Sequence, residues 1–272
     1  MNHPQIAAFA RLAKENVVPE RALEGQKTLI SRTMHSLAYD ATHDEIIVNS
    51  PLAQAILFFR GGANGEEAPI RVIQGPRTQI QGTAYDGNDQ MAFDEVHGDI
   101  YLPVAGNKIL VFSRESTGDV APLRVLGGPD TQIRGTAVGH ARVGVDGVHN
   151  ILVVTSSGDR GAGASLLIFD RTASGNTKPR AVIGGPKTAV AGGSAPHIYS
   201  EKGWIVGGCA GGGVCVWSVD DTGNTPPRWK IPVQQLAGVT PSGIALDPAH
   251  KEVIVTSGNR NRVLTFYWPE IF

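Results

Sequence analysis

A segment of about fifty residues recurs five times along this chain, and each copy ends on a proline–arginine element leading into a short apolar stretch: Pro19-Glu20-Arg21, Pro69-Ile70-Arg71, Pro122-Leu123-Arg124, Pro179-Arg180 and Pro227-Arg228. A unit of this length cannot bury its own apolar face, so successive copies must stack on one another. Several short strands per unit make the stack a β-propeller.

Aligning the copies predicts four strands in each. The first ends in Asp: Ser36-Leu37-Ala38-Tyr39-Asp40, Gln90-Met91-Ala92-Phe93-Asp94, Arg142-Val143-Gly144-Val145-Asp146 and Gly243-Ile244-Ala245-Leu246-Asp247, with Pro196-His197-Ile198-Tyr199-Ser200 divergent. The second and third are β-branched and aromatic runs such as Glu45-Ile46-Ile47-Val48 and Ile56-Leu57-Phe58-Phe59, bounded by turn residues. The fourth follows the proline–arginine element. Its first copy, Arg21-Ala22-Leu23-Glu24-Gly25, precedes any complete unit, and the last unit stops after its third strand. The expectation is therefore an all-β, five-bladed β-propeller of four-stranded blades over residues 1–272, closed by Arg21 to Gly25 pairing beside Val263 to Phe266. Residues 1–19 form an N-terminal cap, with a short helix over residues 4–15 because Ile6, Phe9 and Ala13 share a face at helical spacing. Six blades is the alternative if Ile6-Ala7-Ala8-Phe9 belongs to another blade.

At 272 residues and 41% hydrophobic content the chain can bury a substantial core as one domain. Its 34 glycines and 17 prolines suit many tight turns. A net charge of −1 with mixed signs gives no electrostatic footprint for nucleic acid or an anionic membrane. No apolar run reaches the length of a membrane span, and Met1-Asn2-His3-Pro4-Gln5 is unlike a signal peptide, so the expected location is cytoplasmic, or secreted if a leader has been removed. Cys209 and Cys215 flank the turn Ala210-Gly211-Gly212-Gly213 and read first as two small buried thiols, with a cross-strand disulfide second and a redox pair third.

Thr240-Pro241-Ser242-Gly243-Ile244-Ala245-Leu246-Asp247 followed by Glu252-Val253-Ile254-Val255, and Ala121-Pro122-Leu123-Arg124-Val125-Leu126-Gly127-Gly128, resemble the NHL-type propeller repeat. The resemblance covers nearly the whole chain. It implies the fold, and it is compatible both with non-catalytic interaction platforms and with enzymes whose site lies at the channel mouth. Only the last unit keeps the Pro-Ser-Gly lead-in.

The histidines fall into two classes. His43, His97, His149 and His250 recur three residues after the Asp of the first strand, which is the signature of turn chemistry. His35, His140 and His197 do not repeat and stand where one blade crosses to the next, with Tyr85-Asp86-Gly87-Asn88-Asp89 at the corresponding place in the second blade. Imidazoles with a carboxylate are a ligand set for a divalent first-row metal, Zn, Fe, Mn or Cu, and an open coordination position would make that metal catalytic. On this reading His35, His140, His197 and Asp89 hold the metal, Asp89 or Asp86 acts as base, and Tyr85 and Arg142, with Arg32, orient an anionic or carbonyl-bearing small molecule. The glycine-rich runs precede no helix of a βαβ unit and no Gly-x-Ser-x-Gly elbow is present, so nucleotide binding and serine hydrolysis have no support. The reading is a small-molecule enzyme with a metal at the channel mouth; the alternative is a non-catalytic ligand- or protein-binding scaffold.

Overall fold

The structure, a computed structural model, describes residues 5–31, 36–80, 90–135, 141–157, 163–192, 195–257 and 260–272. It is an all-β, five-bladed β-propeller with one short α-helix, α1 (Val233–Ala237), among the described residues. A two-stranded sheet, β1 (Gln5–Ala8) with β2 (Arg21–Glu24), comes first. The first blade is β3 (Ser36–Asp40), β4 (Glu45–Ser50), β5 (Ala55–Arg60) and β6 (Arg71–Gln74), and the second β7 (Ala92–Asp94), β8 (Asp99–Val104), β9 (Lys108–Ser113) and β10 (Arg124–Gly127). The third blade is β11 (Arg142–Asp146), β12 (Ile151–Ser156), β13 (Ser165–Asp170) and β14 (Ala181–Gly184); the fourth is β15 (His197–Tyr199), β16 (Trp204–Cys209), β17 (Gly213–Ser218) and β18 (Trp229–Ile231). The fifth has three strands, β19 (Gly243–Asp247), β20 (Glu252–Ser257) and β21 (Arg262–Tyr267). Two compact units divide the chain, residues 1–105 with 110–123 and residues 106–109 with 124–272. No described helix is long and apolar enough to cross a membrane.

In the first four blades the second and third strands are covered on both faces, which is why they read as near-continuous apolar runs rather than as alternating ones. In the first unit Leu23, Ile30, Val48, Leu57 and Phe59 form one cluster. In the second unit one face of the fourth blade puts Ile205 and Trp217 against Val153, Leu166 and Ile168 of the third blade. Its other face puts Val206 and Val216 against Ile244, Val253 and Val255 of the fifth.

Two expectations about the N-terminus are corrected. Gln5–Ala8 is a strand, not part of a helix, and β2 pairs with β1 rather than beside β21, which is an edge strand among the described residues. The reason lies in the repeat itself. Residues 5–30 align without a gap on residues 55–80: Ile6 on Ile56, Phe9 on Phe59, Ala13 on Ala63, Pro19 on Pro69, Arg21 on Arg71, Gly25 on Gly75 and Thr28 on Thr78. The backbone repeats too, since the Glu20 N–H donates to the Ala8 carbonyl at 2.8 Å as that of Ile70 does to Phe58 at 2.7 Å. Glu15 takes φ 59° where Gly65 has 61°. Strand β1 is thus a third strand of the repeat, seated on the edge of β2 that a third strand normally occupies.

Four of the crossings share a device, the crossing into the fifth blade using α1 instead. Gly25, Gly75, Gly128 and Gly185 take φ of 106°, 139°, 133° and 128°, and a Cβ at each would collide with the side chain of Glu66, Asp119, Asn176 or Asn224. Three residues on, buried Thr28, Thr78, Thr131 and Thr188 donate their hydroxyls back to those glycine carbonyls at 2.6–2.7 Å. Each hydroxyl also accepts the N–H of Ile30, Ile80, Ile133 or Val190 at 3.2–3.4 Å. The outer strand then joins the next repeat by the parallel bridges Leu23–Gly65, Ile73–Gly118, Leu126–Gly175 and Ile183–Gly223.

Candidate functional site

The four repeating histidines are turn residues, as their spacing predicts. His43, His97, His149 and His250 each place Nδ1 2.8–2.9 Å from one carboxylate oxygen of Asp40, Asp94, Asp146 or Asp247. The other oxygen accepts the histidine's own backbone N–H at 3.2 Å. This is an Asx turn locked from both sides. Burial alone would raise the Asp40 carboxyl, yet hydrogen bonds from His43 and the charge of Arg114 hold it below the usual carboxylate range. Asp146 is lowered in the same way, against its burial, by His149 and by the hydroxyl of Ser200 in the divergent turn of the fourth blade.

Of the residues expected at a channel-mouth site, His35, His140, Tyr85, Asp86 and Asp89 lie outside the described residues, as does Arg32. Arg142 and His197 are described. Arg142 opens β11 and donates Nη1 to the carbonyl of Gly192, so its guanidinium is engaged in holding the crossing toward the fourth blade. Nearby, the inner strands of the third and fourth blades meet where Gly144 admits the carbonyl of Pro196; a Cβ there would lie 2.1 Å from that oxygen.

By pairing register His197 stands at the repeat position where the other copies carry Ala38, Ala92, Gly144 and Ala245, one residue off the alignment read from the sequence. It pairs with Val206, and directly opposed residues share a face, so the imidazole lies on the side of the fourth blade that meets Ile244, Val253 and Val255. It is a histidine in a position that is alanine or glycine in every other copy. Desolvation accordingly pushes its pKa down to about 4, and the ring is neutral at physiological pH. Among the described residues no three His, Cys, Asp or Glu side chains stand together as a metal-binding group.

Cys209 and Cys215 form a disulfide across β16 and β17, with Cα atoms 5.7 Å apart and both side chains buried. The expectation of two free thiols is corrected. The antiparallel register, which sets Gly207 opposite Cys215 and Cys209 opposite Gly213, brings the sulfurs within bonding distance, and hairpin register is not visible in the spacing alone.

A groove of about 470 Å³ in the first unit is lined by Arg21, Tyr39, Asp44, Ile46, Gly61 and Gly62. Tyr39 donates its hydroxyl to Asp44 at 2.7 Å, and Arg21 donates to the Gly61 carbonyl at 2.7 Å. The repeat explains why this hollow exists. Arg71, the counterpart of Arg21, is clasped by Glu45 at 2.8 and 2.7 Å and lies 4.3 Å over the Phe58 ring. Arg114 joins the same cluster, reaching Asp40 and Glu45 at 3.0 Å. The sheet β1–β2 has no first or second strand to supply such carboxylates, so the groove is an interblade surface without its other half. Leu37 is 49% exposed there, whereas Met91, Val143 and Ile244 at the same repeat position are 6%, 1% and 6% exposed.

Sequence reasoning missed this surface because it took Ile6, Phe9 and Ala13 for a helix face. The signal was the gapless match of residues 5–30 to residues 55–80. No known family model matches the chain, and no curated protein matches it in sequence.

Proposed function

We propose that this chain is a non-catalytic, protein-binding platform of the NHL type. One observation carries the reading: the repeated polar groups are engaged in holding the blades, while strand surface that the repeat normally covers is exposed, as at Leu37 in one unit and Val263 in the other. The turn histidines are tied to their aspartates, Arg142 to Gly192, and Arg71 and Arg114 to Glu45. Uncovered apolar strand surface rimmed by polar residues is suited to binding polypeptide.

The competing reading is a metal-dependent enzyme using His35, His140, His197 and Asp89, with Asp86, Tyr85 and Arg142 at the substrate. Elemental analysis of protein purified without an affinity tag separates the two. The platform reading expects no stoichiometric transition metal before or after reconstitution with Zn, Fe, Mn or Cu salts. Stoichiometric metal that disappears in the His35→Ala/His140→Ala/His197→Ala variant overturns it.

A further inference from the structure

The fifth blade has three strands, and no described strand pairs with the outer edge of β21. In the first, third and fourth blades that edge of the third strand carries a fourth strand in one register. Arg71, Val72 and Ile73 stand opposite Phe58, Leu57 and Ile56; Ala181, Val182 and Ile183 stand opposite Ile168, Leu167 and Leu166; Trp229, Lys230 and Ile231 stand opposite Val216, Cys215 and Val214. The residue before each fourth strand donates its N–H to the same third-strand carbonyl, Ile70 to Phe58, Arg180 to Ile168 and Arg228 to Val216, at 2.7–2.8 Å. The counterpart of that carbonyl on β21 belongs to Thr265. Side-chain exposure follows the same logic: Val263 is 63% exposed, whereas Ile56, Leu166 and Val214 at its repeat position are 0%, 2% and 0% exposed.

Resting on the platform reading above, we propose that the outer edge of β21 is a docking site for an extended peptide segment of a partner protein, bound by strand addition, in which Pro-x-Arg leads into two β-branched or leucine residues. The chemistry of the ligand is written in the seats that are already filled. An incoming strand in the repeat register sets its arginine opposite Thr265 and an apolar residue opposite Val263. Glu252, on the neighbouring strand β20, occupies the sequence position of Glu45, the carboxylate that clasps Arg71. Main-chain hydrogen bonds supply affinity in such complexes, and alternate side chains supply specificity. The chain's one fourth strand without a blade, β2, already has the relevant edge filled by β1.

The probe is a labelled peptide with the sequence of residues 68–75, Ala-Pro-Ile-Arg-Val-Ile-Gln-Gly, titrated with the intact chain and followed by fluorescence anisotropy. Saturable binding is expected, weakened at least tenfold when the peptide's Arg is replaced by Glu. Thr265→Pro should abolish it, because that residue's N–H shares its carbonyl's outward direction and the pairing with β20 is kept. Val263→Lys, at an exposed position, should weaken binding without altering thermal unfolding, and it serves if the proline variant fails to fold. No binding by the parent chain, or equal binding by both variants, overturns the proposal. Self-association of the parent that Thr265→Pro abolishes, with no peptide binding, makes a second copy the occupant and also overturns it. A negative peptide result with metal-free protein removes strand addition alone, whereas stoichiometric metal removes the platform reading.

Discussion

His197 shows how one residue can carry a pH dependence for the whole fold. Its pKa falls from the ordinary value near 6.5 to about 4 because burial disfavours the charged ring. Between those values the unfolded chain binds a proton that the folded chain does not, so stability is lost as pH falls through that window, by as much as about 2–3 kcal/mol. His197→Ala, which installs the residue that three other copies carry, should flatten the urea-unfolding midpoint between pH 7 and 5; an unchanged slope would place the dependence elsewhere. The carboxylates act lower. Asp40, Glu45 and Asp146 have depressed values, so their contribution is present above the ordinary carboxylate range and is lost only on stronger acidification. Gly144→Ala sets a methyl against the Pro196 carbonyl, backbone that cannot give way locally, and should cost about 2–4 kcal/mol in denaturant unfolding.

At the scale of elements, four crossings share one construction, and each of the four depends on a buried threonine hydroxyl that both donates and accepts. Thr131→Val keeps the volume but leaves the Ile133 N–H and the Gly128 carbonyl without that partner. The expected loss is about 1–3 kcal/mol by chemical unfolding. The β16–β17 hairpin is cross-linked over a sequence separation of only 6. A loop that short constrains the unfolded chain modestly, so replacing both cysteines by alanine should lower stability by about 2 kcal/mol. A thiol titration under denaturing conditions that finds two free thiols without prior reduction would contradict the cross-link. The strand assignments were legible because buried strands must be apolar on both faces, while the disulfide was not, because two cysteines six apart are compatible with bonded and unbonded registers alike.

At the scale of the whole molecule, the described residues hold one more third strand of the repeat than fourth strands, with β1 and β21 at the two ends of that count. Strand β1, with Ala7 and Ala8 at positions where β5 has Leu57 and Phe58, is the less apolar of such strands and yet it covers the inner edge of β2. Removing residues 1–10 should expose that edge and raise self-association, measured by light scattering on a sizing column. A truncated chain as monodisperse as its parent would mean that β1 protects nothing.

Periodicity alone determined the strand order, the blade count and the turn role of four histidines, because a repeat unit with an exposed apolar face has few ways to bury it and a short Asp-x-x-His turn closes through local hydrogen bonds. What only the tertiary structure decided is where non-repeating residues point. His35, His140 and His197 look alike in sequence, each near the start of an inner strand, but which face of that strand a side chain takes changes with every residue. For His197 that single step set an imidazole among valines and isoleucines between two sheets.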